Sequence, residues 1–295
     1  MSASNTRQFF IQASRPDSFS PSLKVPERPE FFRDAIAWNS IFEMTRETGI
    51  HYPVLAALDR APWKNDLPEF TRLRLNERII REQVLDSSAE NEFRTAASAL
   101  TFARIPLILS GEYFLAHRFY PASVYRRVQE IELIIPESAL GDALRCLGRH
   151  AYRKAGENIF QRFQGGARIR LQAEEDSSQL WTRLNDLPVS GLPRMIHAMP
   201  VENLIARRIG TGAADALMAL DLHFATEKSG FRATELCEEI SLERCATRAY
   251  QMFNSISREY QTRLPAGTLD QLLGQLNPIK RRWLKRFAPS AELIS

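Results

Sequence analysis

Glu130 and Glu132 stand one residue apart in the run Gln129-Glu130-Ile131-Glu132-Leu133-Ile134-Ile135. Acid and apolar residues alternate there before a branched apolar stretch, which is a strand pattern. Residues two apart on a strand point to the same face. Two carboxylates on one face can hold a divalent cation such as Mg2+, and that cation can bridge the phosphates of a nucleotide. Upstream, Ser110-Gly111 closes the compact apolar run Ile105-Pro106-Leu107-Ile108-Leu109. A helix starting at that turn leaves backbone N–H groups open toward an anion, at the end of the helix that carries partial positive charge. Arg126, just before the acidic strand, offers a charge-assisted contact to phosphate. Glu130 and Glu132 are thus the candidate catalytic and metal-holding residues, and Ser110, Gly111 and Arg126 the candidate nucleotide-binding residues. Taken singly, an acidic pair on a strand is more often a solvated face, and Ser-Gly is a common turn. The arrangement carries the reading.

The elements that must position these residues follow from the apolar spacing. Residues 1–30 contain Pro16, Pro21, Pro26 and Pro29 among Ser and Arg, and read as a flexible lead-in. Helical spacing begins near Phe31 and runs through Phe32, Ile36, Trp38, Ile41, Phe42 and Met44 to Gly49. A second helix carries Val54, Leu55 and Leu58. A long helical region from Pro68 to Arg104 follows, with Ser87-Ser88 as a candidate break. The pattern then changes to a doubly buried strand at Ile105–Leu109, a short helix over Glu112–Phe119 stopped by Tyr120-Pro121, and a strand over Gln129–Ile135. Pro136-Glu137-Ser138 starts the next helix. Tyr152–Phe163 and Arg168–Ala173 read as two more strands, with Gly165-Gly166 as the hairpin turn between them. From Pro200 onward the spacing is helical again. The expected fold class is therefore α+β: a small mixed sheet of about four strands with flanking helices, between helical N-terminal and C-terminal regions. The expected divisions are 1–30, 31–104, 105–199 and 200–295.

At this point residues 35 to about 225 resemble a family of uncharacterised nucleotidyltransferases, related to the polymerase-beta-like nucleotidyltransferase superfamily. The resemblance rests on Ile105-Pro106-Leu107-Ile108-Leu109-Ser110-Gly111, then Phe119-Tyr120-Pro121, then Arg126 through Ile135, then Ala151-Tyr152. It implies a mixed-sheet core, Mg2+, a nucleoside triphosphate and transfer of its nucleotidyl group to a hydroxyl acceptor. It does not identify the acceptor, which could be a protein, a small molecule or a nucleic acid. This chain departs from the family at the working positions. Ser110 stands where the family has Lys, and Glu130 and Glu132 stand for two Asp. The longer side chain moves each carboxylate by about 1.5 Å, one carbon–carbon length. Arg170, in Arg168-Ile169-Arg170-Leu171-Gln172, stands where the family has a third acid, implied to activate the attacking hydroxyl. Arg stays protonated and cannot act as a base. If its strand lies beside the acidic one, Arg170 falls near Glu130 and Glu132 and fills the place of a metal. Glu174 or Glu175 would replace the third acid only under a different strand register. An impaired, non-catalytic binding or scaffold member is therefore an alternative to an active enzyme.

Composition sets the remaining bounds. A formal charge of +4 on 295 residues is too small to require a nucleic-acid partner. The basic end of the chain, with Lys280, Arg281, Arg282, Lys285 and Arg286, keeps nucleic-acid binding as a third reading, although such a cluster is more often an exposed helix face. Trp283 and Phe287 there have the spacing of packing residues. Cys146, Cys237 and Cys245 form no metal spacing, and so sparse a set suits a reducing, cytoplasmic compartment. No run approaches the roughly 18 apolar residues of a membrane span. His51, His117, His150, His197 and His223 are scattered, and His117 is nearest the candidate site in sequence.

Overall fold

The computed structural model describes residues 3–14, 27–48, 50–163, 166–182, 184–211, 215–227, 231–260, 262, 264–265 and 267–287. In chain order the helices and strands are α1 (Ala3–Ala13), α2 (Ala35–Thr48), α3 (His51–Asp59), α4 (Glu69–Phe102), β1 (Leu107–Ser110), α5 (Gly111–Arg118), β2 (Glu130–Pro136), α6 (Leu140–Arg149), β3 (Arg153–Gly156), β4 (Ile159–Gln161), β5 (Arg168–Glu174), β6 (Asn185–Asp186), β7 (Ile196–Ala198), α7 (Val201–Thr211), α8 (Asp215–Thr226), α9 (Ala233–Leu242), α10 (Ala246–Glu259), α11 (Thr268–Gln275) and α12 (Pro278–Phe287). The chain forms two compact units: residues 1–79 with 201–295, and residues 80–200.

The first unit is helical. The segment read as a Pro-rich lead-in begins with α1, whose Phe9 is buried. Phe9 meets Trp38 of α2 edge-on, with ring centroids 5.7 Å apart, and meets Phe31 at 5.5 Å. Aromatic pairs prefer this geometry because the positive ring edge faces the negative ring face. The Trp38 indole N–H donates to the Phe32 carbonyl at 2.9 Å, so its one polar group is satisfied inside the apolar cluster. The prolines from Pro16 onward dominate the composition of residues 1–30, and the short run Phe9-Phe10-Ile11 is the main apolar signal of α1.

The second unit holds the sheet. Its strand order is β3-β4-β5-β2-β1-β7-β6, seven strands rather than the four expected. β1 pairs antiparallel with β2 and parallel with β7, and β2 pairs parallel with β5. The α+β class stands. Two short strands, β7 beside β1 and β6 at the edge, lie in the Pro- and Gly-containing stretch before Val201, where two or three residues give no readable alternation. The single strand expected over Tyr152–Phe163 is two, β3 and β4, paired antiparallel. The turn falls at Glu157-Asn158, with Asn158 in the left-handed region at φ 55. Asn tolerates that conformation better than most residues. Gly165, the first half of the other expected turn, lies outside the described residues. Ser87-Ser88 does not interrupt α4, which is continuous from Glu69 to Phe102. The Ser87 hydroxyl instead donates to the Gln83 carbonyl at 3.0 Å, a bond that a helix accommodates.

Helix α4 ends where the chain turns into β1. Arg104 adopts φ 62, and the Ile105 N–H reaches back to the Leu100 carbonyl at 3.0 Å. This left-handed cap closes the last turn and sends the chain straight into the buried strand. All four residues of β1 are buried. Its register sets the whole site, because it aligns Ile108 with Ile134, Leu109 with Leu133 and Ser110 with Glu132.

Candidate functional site

Cross-strand neighbours point to the same face of a sheet. Ser110 of β1 pairs with Glu132 of β2, and Glu132 pairs with Arg170 of β5. One rung along, Glu130 pairs with Arg168. Ser110, Glu130, Glu132, Arg168 and Arg170 therefore share one face. The opposite face is apolar, with Leu109, Ile131, Leu133, Ile169 and Leu171 all buried. The alternation that made the sequence readable as strands is this division of faces.

The register brings the arginines onto the first carboxylate. Arg168 Nη2 lies 2.8 Å from Glu130 Oε1. Arg170 Nε donates to Glu130 Oε2 at 2.7 Å, and its Nη2 lies 2.5 Å from the same oxygen. Both oxygens of Glu130 are thus occupied by guanidinium groups. The Glu130 side chain is 15% exposed, while those of Arg168 and Arg170 are 40% and 35% exposed. The expected approach of Arg170 to the acidic pair is found at Glu130. Arg168 joins it, through the same two-residue period that aligned Glu130 with Glu132.

Glu132 is positioned from the other side. Its carboxyl group packs over Gly111, where an added Cβ would lie 2.5 Å from Glu132 Cδ. Gly111 has φ +70, a conformation that L side chains rarely adopt. Glycine is thus required twice at the strand-to-helix turn, for the backbone and for the room the carboxylate takes. Ser110 is buried, with extended backbone ahead of α5, and its hydroxyl lies 3.6 Å from Met199 Sδ.

Arg126 is buried, only 1% exposed at the side chain. Its Nη1 lies 3.4 Å from Glu112 Oε1 and donates to the Arg127 carbonyl at 3.0 Å. Glu112 Oε2 in turn accepts the Gln129 N–H at 3.1 Å. The first turn of α5 therefore grips the chain just before β2. Sequence reasoning did not single out Glu112. Its position one residue after the Ser-Gly turn was the available signal, because an acid in the first turn of a helix suits the dipole.

Two further groups sit away from the acidic pair. His117 stacks on Tyr113 with ring centroids 4.1 Å apart, and its Nδ1 lies 3.7 Å from Glu90 Oε2. Burial pushes the His117 imidazole below its ordinary value, against the pull of Glu90 and Asp86. At the far edge, His197 Nδ1 lies 3.1 Å from Asp186 Oδ1.

The register also places Glu174 opposite Pro136, with Glu130 opposite Arg168 at the other end of β5. Six strand residues span about 20 Å, so Glu174 is not a third acid beside Glu130. Its Oε1 accepts the Ser178 hydroxyl at 2.7 Å. Among the described residues, no group of three or more His, Cys, Asp or Glu is arranged to hold a metal ion. Magnesium sites use one or two carboxylates with near-ideal octahedral geometry. The residues present do not fit that ion, because a metal at Glu130 would have to displace two guanidinium groups of like charge.

At the basic end of the chain, Arg281 donates from Nε to the Leu273 carbonyl and from Nη2 to the Gly274 carbonyl, both at 2.9 Å. It closes the C-terminal carbonyls of α11. The side chains of Trp283, Lys285, Arg286 and Phe287 lie outside the described residues. No helix among the described residues is long and apolar enough to cross a membrane.

The mixed sheet, with its Ser-Gly turn beside the acidic strand, forms an α+β core. The chain belongs to the family of uncharacterised nucleotidyltransferases, which it matches over residues 34–259. Among solved structures it is similar to the solution structure of the antibiotic-resistance factor ANT(2'')-Ia, at 12% identity over 58% of this chain and 98% of that one, with a TM-score of 0.43. A crystal structure of ANT(2'')-Ia in complex with adenylyl-2''-tobramycin matches at 12% identity over 58% and 96%, with a TM-score of 0.32. An antigenic nucleotidyltransferase-like protein from Paracoccidioides brasiliensis matches at 12% identity over 64% and 95%, with a TM-score of 0.31. No curated protein matches the chain.

Proposed function

We propose that this protein is a nucleotidyltransferase-family member impaired in metal-dependent nucleotidyl transfer, which uses the family's sheet face for binding. The observation that supports this reading is the occupation of both Glu130 oxygens by Arg168 and Arg170. Metal-dependent transfer from a nucleoside triphosphate needs carboxylates free to share a cation with the phosphates. Here the protein's own cations take that place, and like charges repel at short range. Arg170 also stands where the family resemblance puts an acid, and a guanidinium cannot accept the proton of an attacking hydroxyl. In this reading Ser110 and Gly111 form the phosphate-side turn, Glu130 and Glu132 are the remnant of the metal pair, and Arg126, through Glu112, fixes how β2 enters the sheet. The nucleotide and any acceptor are recognised without catalysis, in a reducing, cytoplasmic setting suited to three free cysteines.

The test is calorimetric titration of the protein with ATP in the presence of MgCl2 or MnCl2. The wild type should show no ATP binding that requires the cation. The double variant Arg168→Ala with Arg170→Asp should gain Mn2+-dependent ATP binding, because it frees Glu130 and restores a third acid. Mn2+-dependent binding in the wild type, lost in Glu130→Gln with Glu132→Gln, would overturn the proposal in favour of an active enzyme.

A further inference from the structure

We infer that the paired guanidinium groups of Arg168 and Arg170 form an anion site, which takes the polyphosphate chain of a nucleotide without a metal ion. The inference rests on the reading that the acidic pair no longer holds a cation, and it names what the same face holds instead. Arg168 contacts Glu130 through Nη2 alone. Arg170 spends Nε and Nη2 on a single oxygen. Among the described residues, their other N–H donors have no protein acceptor. Both side chains are more than a third exposed, whereas the carboxylate that holds them is mostly covered.

That arrangement has a chemical direction. The shared carboxylate pins two planar forks and removes much of their rotamer freedom before any ligand arrives. A guanidinium held this way loses less entropy per new bond. Its outward N–H groups match the geometry of phosphate oxygens, which accept charge-assisted bonds in pairs. The two residues are two apart on one strand, a spacing of about 7 Å. That spacing is between Cα atoms; the two guanidinium groups converge on Glu130, so neighbouring phosphates of one chain can meet the donors that both forks have left over. Glu132 on the adjacent strand repels such an anion. A polyphosphate offers several acceptor oxygens along its length, so it can reach the remaining donors of both arginines while its charge stays away from Glu132.

The dependence on metal then runs opposite to that of a metal-dependent transferase. Mg2+ complexes the phosphates in solution and competes with the arginines for them. Glu130→Gln keeps an acceptor oxygen to hold the forks but removes the negative charge beside the phosphates, so it strengthens binding instead of abolishing it.

The experiment is titration of the full-length protein with ATP, and separately with inorganic tripolyphosphate, in EDTA and then with excess MgCl2. Both probes should bind in EDTA, and Mg2+ should weaken them. Glu130→Gln should raise affinity severalfold. Arg168→Gln with Arg170→Gln should lower it at least about tenfold, the equivalent of about 1.4 kcal/mol, with an unchanged circular dichroism spectrum as the check on folding. Should the double variant misfold, the opposite sign expected of Glu130→Gln carries the test alone. No binding of either probe in EDTA or in MgCl2 would overturn the anion site while leaving the absence of a metal site intact. Binding seen only with Mg2+ or Mn2+ and lost in Glu130→Gln would overturn both.

Discussion

Glu92 and Glu130 lie in the same unit, and each is held by arginine, yet the two arrangements do different work. Glu92, on α4, is 2% exposed. Its Oε1 accepts Arg162 Nη2 at 3.0 Å and Nε at 3.3 Å, and its Oε2 accepts the Tyr152 hydroxyl at 2.8 Å. The Tyr152 phenol is pushed up, first by burial and then by its bond to Glu92. Every oxygen is used, and the network joins the helix to the chain around the β3–β4 hairpin. The Glu130 clamp has one hydrogen bond, from Arg170, and an ion pair with each arginine, and its cations are turned partly to water with donors to spare. A carboxylate satisfied inside a unit serves folding. A carboxylate whose arginine partners face water with unused donors leaves those donors open to a ligand, which is the role proposed for the Glu130 clamp.

The sharpest way to break this comparison is to remove each carboxylate and measure stability. Taking one partner out of a buried charged network leaves the rest uncompensated, at a cost of about 3 kcal/mol or more. Glu92→Ala should therefore lower unfolding stability by about 3 kcal/mol in urea titrations. Glu130→Gln should cost no more than about 1 kcal/mol, because both arginine partners are more than a third exposed and Gln keeps an acceptor oxygen for them. Equal losses at the two sites would remove the distinction between a staple and a binding clamp.

A second, smaller effect sharpens the same contrast at the turn that seats Glu132. Gly111→Ala forces an L residue into φ +70, which costs about 1–2 kcal/mol. The new methyl group also meets the Glu132 carboxyl, the flexible end of its side chain, which must move aside. Stability should fall by about that amount in urea titrations. An unchanged midpoint would show that the turn is not under the constraint its backbone implies.

The acidic strand and the arginine strand were legible because each has a strong two-residue period, and the Ser-Gly turn because it closes a compact apolar run. Glu130, Glu132 and Arg170 follow the two-residue alternation of β2 and β5, so their common face needed only the strands to be neighbours. The role of Arg168 was hidden because the family comparison drew attention to Arg170, although both occupy the same face. Partners of α4 were not legible at all. Glu90 and Glu92 sit two residues apart on a helix, turned to different neighbours, and nothing local says that one meets Tyr113 and the other Tyr152. Those pairings are set by long-range packing. The same holds for β6 and β7, which are too short to carry a pattern and are set by long-range pairing, β7 on β1 and β6 on β7.

The smallest expected effect is a pH dependence at the other end of the Glu90–Tyr113–His117 group. Tyr113 donates its hydroxyl to Glu90 Oε2, and Arg94 Nε donates to Oε1 at 2.5 Å. Burial pushes Glu90 upward, but the bonds from Tyr113 and Arg94 and the charge of His117 more than offset it, so its carboxyl lies below the ordinary value. Burial holds His117 below its ordinary value of 6.5, with Glu90 and Asp86 pulling it back and Arg94 adding to the fall. For a base whose folded value is depressed, the unfolded chain binds a proton that the folded chain refuses. Its contribution to stability is therefore complete above the unfolded value and is lost as pH falls through the folded one. The urea midpoint should be constant near pH 8 and should decline as the pH drops below about 6.5, the unfolded histidine value. His117→Gln should flatten that decline while leaving the Glu90 bonds to Tyr113 and Arg94 in place. A decline of equal size in the variant would assign the acid sensitivity to other groups and leave His117 as packing against Tyr113 alone.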